Sequence, residues 1–172
     1  VLVYLYEEYG SDLVHHLNGM FSFAIWDANH EKLLLARDRL GVKPLFLARS
    51  GDKLFFASEL KALKASGMDL GVIEGQAIMN YLRFKHVGAT RSIYSGVIKV
   101  PPAHTVVIQN NDLQLKRYWT PSPKYSGDSS YENIRALIRD ATVIRLQSDV
   151  PLSISLSGGL DSSIVLYEAC LL

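Results

Sequence analysis

The sequence predicts an α+β region followed by the opening of an α/β region, and three observations carry that prediction. Two β-prone stretches, "MFSFAIWDANHEKLLLARD" and "KPLFLARSGDKLFFAS", read as successive hairpins set among short amphipathic helices. "TPSPKYSGDSS" breaks the composition, because Pro, Ser and Gly dominate it and nothing apolar recurs. Beyond the break, the strand-like run "VPLSISL" leads through "SGGLDSS" into a helix-like run.

In chain order, "VLVYLYEEYGSDLVHHL" has apolar residues at helical spacing, with Gly10 placed to end one helix and Ser11 to cap the next. The first hairpin turns at Asp27-Ala28-Asn29-His30, where Asp and Asn suit turn geometry. Phe21, Phe23, Ile25 and Trp26 predict a strand buried on both faces. The second hairpin turns at Ser50-Gly51-Asp52. "ELKALKASG" is a short helix that Gly67 ends, and "GQAIMNYLRF" is another. Irregular Gly- and Pro-bearing chain follows, then two strands, "VPPAHTVVI" and "LQLKRYW", around Asn110-Asn111-Asp112. After the break, "YENIRALIRDATVIRLQSD" is a helix capped by Ser130. "VPLSISL" is a strand, and "DSSIVLYEACLL" begins the last helix.

The 172 residues are 48% hydrophobic and 20% charged, with a net charge of +1. No block of like charge marks a nucleic-acid surface, and no apolar run reaches the ~18 residues of a membrane span. The single cysteine, Cys170, excludes an intrachain disulfide framework and fits a reducing compartment; a buried apolar role is expected for it. Both ends are apolar and periodic, which predicts a fragment cut within structured elements. His15 and His16 lack partners at metal-ligand spacing and read as a solvated or core-edge pair.

The segment Ser157-Gly158-Gly159-Leu160-Asp161-Ser162-Ser163 suits an anion. Adjacent glycines allow positive φ and close approach, while exposed amides at a helix start favour phosphate oxygens. Asp161 would meet phosphate through Mg²⁺. The plainer reading is a strand-to-helix turn with Asp161 or Ser162 as N-cap. For Asp38, the residues alone favour a surface ion pair with Arg37 or Arg39.

"ARDRLGVKPL" resembles a segment of the class II glutamine amidotransferases, whose nucleophile is an N-terminal cysteine. The terminal loop resembles the pyrophosphate loop of the N-type ATP pyrophosphatases. With "FFASELKAL", "GVIKVPPAH", "YW" and "SDVPLSISLSGGLDSS", the whole order resembles the glutamine-hydrolysing asparagine synthetase family. The resemblance implies the C-terminal part of an N-terminal-nucleophile αββα glutaminase domain at 1–115, a linker at 116–130, and the start of an α/β ATP-pyrophosphatase domain at 131–172.

It further implies a cytoplasmic ligase acting on glutamine, aspartate and ATP with Mg²⁺, a homodimer as assembly, and no nucleic-acid or membrane partner. Asp38 would hold the α-amino group of glutamine. Leu156, Ser157, Gly158, Gly159, Asp161 and Ser162 would contact ATP or pyrophosphate, with Asp161 toward the metal. No catalytic residue is expected within this chain, which starts at Val1, beyond the family's cysteine. Two rivals stand beside this: a related enzyme acting on another carboxylate, such as a β-lactam synthetase, and a non-catalytic scaffold or regulatory descendant.

Overall fold

The computed structural model describes residues 1–122 and 127–171. It divides into two compact units, Val1–Pro121 and Ser122–Leu172. Of the linker expected at 116–130, residues 116 and 117 are instead paired in the last strand of the first unit, because positions 104 and 105 supply their ladder, and residues 123–126 lie outside the described residues.

In the first unit, α1 (Leu2–Tyr9) ends at Gly10, and a 3₁₀ helix continues over Gly10–His16. Strands β1 (Ser22–Asp27) and β2 (Lys32–Arg37) form the first hairpin; Asp27 accepts from the amides of Asn29 and His30 and so shapes its turn. β3 (Phe46–Ser50) and β4 (Lys53–Ala57) form the second, pivoting on Gly51 at φ +58°. Helices α2 (Leu60–Ala65) and α3 (Gly75–Phe84) follow. β6 (His104–Gln109) and β7 (Asp112–Arg117) turn through Asn110 and Asn111, both left-handed. Between α3 and β6, in the stretch expected to be irregular, lies the three-residue strand β5 (Val97–Lys99), recruited by the edge of β3.

The strands make two antiparallel sheets, ordered β1-β2-β6-β7 and β4-β3-β5. Alternation along each strand divides its side chains between two faces. Leu33 and Leu35 of β2 and Val106 and Ile108 of β6 pack with Leu45, Leu47 and Val100 between the sheets. Ala48 and Val97, on the opposite face of the second sheet, pack under Leu63 of α2. The result is an α+β sandwich with two antiparallel sheets at its centre.

Strand β1 departs from expectation. It is a sheet edge, and Trp26 is 61% exposed while Phe21, Phe23 and Ile25 are partly covered. Ala24 and Trp26 stand opposite Leu35 and Leu33 and share their face, but at the edge that face is open. Burial on both faces needs a layer packed over each face, and among the described residues none covers Trp26.

The second unit holds α4 (Tyr131–Val143) and α5 (Leu160–Cys170). Ser130 caps α4 by accepting from the Asn133 amide at 3.3 Å. The strand expected at "VPLSISL" is absent: residues 151–157 are irregular and exposed. A strand exists only through a partner's hydrogen bonds, and the described residues of this unit supply helices alone. Cys170, expected to be buried, is exposed near the end of α5.

Candidate functional site

At the end of β2 the chain makes a tight turn, and its two charged residues hold opposite halves of it. Asp38, 1% exposed, accepts from the amides of Leu40 at 3.2 Å and Val42 at 2.9 Å through Oδ1, and of Lys43 at 2.9 Å through Oδ2. Arg37, 3% exposed, donates to the carbonyls of Lys43 at 2.7 Å, Val100 at 2.6 Å and Gly41 at 2.5 Å. Burial pushes the Arg37 guanidinium below its ordinary value, and the Asp38 charge opposes that shift.

Gly41 sits at φ +67°, where an added Cβ would come within 2.7 Å of Pro102 Cγ. Tyr118 closes the arrangement by donating to the Arg37 carbonyl at 2.8 Å. Burial first and the Asp38 carboxylate second push the Tyr118 phenol up to about 12, with Arg39 opposing.

This overturns the surface ion pair expected for Asp38 with Arg37 or Arg39. Both Arg37 and Asp38 are inside, each paired with backbone. The three amides take three of the carboxylate's roughly four acceptor positions. Arg37 was missed as a determinant of the turn because carbonyl acceptors at positions 41, 43 and 100 leave no mark in the sequence.

In the second unit, the glycine loop leads directly into α5. Gly158 takes φ +80° with open space where a Cβ would stand, and Gly159 is the helix N-cap. Ser163 N–H makes the bond to Gly159 O at 3.2 Å, so the amides of Leu160, Asp161 and Ser162 precede the helical ladder. Hydroxyls brace the loop: Ser157 and Ser162 lie 3.0 Å apart, and Ser162 and Ser163 donate to Gly159 O at 3.1 and 2.9 Å.

The alternative in which Asp161 or Ser162 caps the helix is not realised. Asp161 is exposed in the first turn, and the cap position makes no side-chain hydrogen bond. Leu156 is 56% exposed on the irregular approach to the loop. Ser157, Gly158, Gly159, Asp161 and Ser162 therefore share one open helix start, while Asp38 belongs to the other unit.

A layered α+β unit with two antiparallel sheets, joined in sequence to a glycine loop that opens a helix, defines a two-module class of protein. The chain belongs to the glutamine amidotransferase domain family, which residues 1–119 match; residues 133–169 match the asparagine synthase family. It is 38% identical over 172 residues to asparagine synthetase (glutamine-hydrolyzing) 3 of Bacillus subtilis, covering 96% of this chain and 28% of that protein.

Asparagine synthetase (glutamine-hydrolyzing) 1 of the same organism is 34% identical, covering 98% of this chain and 27% of its own length. Amidase chry2 of Gibberella zeae is also 34% identical, at 96% and 25%. The chain thus spans between 25% and 28% of the length of these relatives. A solved Bacillus subtilis glutamine phosphoribosylpyrophosphate amidotransferase overlays with a TM-score of 0.41 at 16% identity, covering 95% of this chain and 33% of that one.

Proposed function

We propose that this chain is a portion of a glutamine-dependent asparagine synthetase. Residues 1–115, with the end of the last strand at 116–117, would contribute to the glutaminase domain, the chain from there to 130 to the linker, and 131–172 to the start of the synthetase domain. The complete enzyme hydrolyses glutamine to glutamate and ammonia. It also joins the β-carboxylate of aspartate to the α-phosphorus of ATP, releasing pyrophosphate. Ammonia then attacks the activated carbonyl, and AMP leaves as asparagine forms.

The observation that supports this reading best is the open start of α5. Three amides precede the helical ladder beside two glycines, and hydroxyls hold the loop in shape without closing it. Ser157, Gly158, Gly159 and Ser162 would cradle pyrophosphate, with Leu156 against the nucleotide. Asp161 fits Mg²⁺, because it is exposed, is not used as a cap, and magnesium needs only one or two carboxylates when phosphates complete its shell. When bound, the metal would neutralise phosphate charge. A cytoplasmic homodimer goes with this reading.

In a complete enzyme carrying this sequence, Asp161→Asn should reduce ATP-dependent pyrophosphate release at least ~10-fold while glutamate release is unchanged. Asn retains the size and capping ability of Asp. Pyrophosphate release at the wild-type rate would remove Asp161 from the site.

A second reading keeps the same two modules with another carboxylate as acceptor; the chain is 34% identical to the fungal amidase, against 38% for the bacterial synthetase. Amide formation assayed with aspartate as sole acceptor separates the two.

A further inference from the structure

Helix α5 carries the loop, yet its sequence does little to fix how it lies. Leu160, Ile164, Val165, Leu166 and Ala169 are spread around the axis, so no single apolar stripe selects the face to be covered. Leu160 and Val165 are 75% and 41% exposed. The one buried residue of α5 is a carboxylate: Glu168, 1% exposed.

Its Oε1 accepts from Arg135 Nε of α4 at 3.0 Å, and the Arg135 guanidinium lies over the neighbouring Tyr167 ring at 5.6 Å. Oε2 of Glu168 is buried and has no partner among the described residues. A buried ion pair is a weak source of stability, and its best-attested use is to fix register, because a shifted packing separates the partners.

We infer that Glu168, held by Arg135, is a positioning residue that sets the rotation of α5 against α4 and thereby aims the glycine loop and Asp161. Eight residues separate Glu168 from Leu160, about 12 Å or two turns along one stiff helix. A slip by one position would turn the helix start through about 100° and shift it about 1.5 Å. The amides that precede the ladder would then face a different direction. The consequence for nucleotide rests on the synthetase reading above; the register itself does not.

The test uses a full-length enzyme carrying this sequence, with Glu168→Leu to replace the charge by apolar volume and Glu168→Gln to keep the shape and one acceptor. Two readouts are taken: hydrogen exchange at the ladder-bonded amides of residues 163–168, and steady-state kinetics with ATP. Glu168→Leu should accelerate exchange at those amides about tenfold, with α4 changing far less. It should raise the KM for ATP by a similar factor while glutamine hydrolysis is untouched, with Glu168→Gln intermediate in both.

A merely structural role would lower both activities together. Unchanged exchange in both variants, with the proteins folded by circular dichroism, overturns the inference. Altered exchange in an enzyme whose wild type shows no ATP dependence upholds the register and overturns the nucleotide reading instead.

Discussion

Arg37 and Asp38 are adjacent in sequence and complementary in space: the guanidinium gathers the carbonyls of Gly41, Lys43 and Val100, and the carboxylate gathers the amides of Leu40, Val42 and Lys43. Lys43 is bound through both of its backbone groups, one by each residue. The turn is therefore built by side chains standing in for the ladder that β2 leaves behind.

Replacing Asp38 with Asn turns one acceptor oxygen into a donor facing a buried amide. The variant should unfold at lower urea, with a loss of about 1–3 kcal/mol. In a complete enzyme, unchanged stability with a raised glutamine KM would make Asp38 a substrate ligand instead of a residue that holds the turn.

Tyr118 offers a test at alkaline pH. Its phenol holds its proton to about 12 when folded and to about 10.0 otherwise. A raised folded pKa means that the protonated form's contribution is complete below pH 10.0 and fades as pH climbs toward 12. Tyr118→Phe should cost about 1 kcal/mol at neutral pH by leaving the Arg37 carbonyl without this donor. The gap between wild type and variant should narrow across that alkaline window, followed by chemical denaturation at each pH. A gap that does not change with pH would show that the phenol titrates normally.

Gly158→Ala separates the turn from the ligand site. With φ at +80° and nothing within 4 Å of an added Cβ, the fold should lose only about 1–3 kcal/mol from backbone strain. In a complete enzyme, ATP-dependent pyrophosphate release should fall much further than that, because the methyl stands where phosphate would approach the backbone. Stability and synthesis declining in proportion would make Gly158 a turn residue alone.

The sequence by itself determined the features whose causes are local. Asp27 and the Asn110-Asn111 pair made two hairpins legible, and the apolar spacing of 75–84 marked α3. Ser130 marked the start of α4, and the paired glycines marked the loop before α5. These depend on backbone conformation and near neighbours, so a window of a few residues contains the physics.

Tertiary structure decided everything that requires a distant partner. "VPLSISL" has strand composition but no ladder to join, and Trp26 has core composition but lies at a sheet edge. Cys170 is apolar enough for a core and stands exposed. Asp38 reads as half of a surface pair until residues 40–43 fold around it, and nothing in the chain announces that Arg135 will meet Glu168 across 33 positions. Hydrogen-bond partners, burial and sheet neighbours are properties of proximity, and proximity in this protein is set by packing rather than by position along the chain.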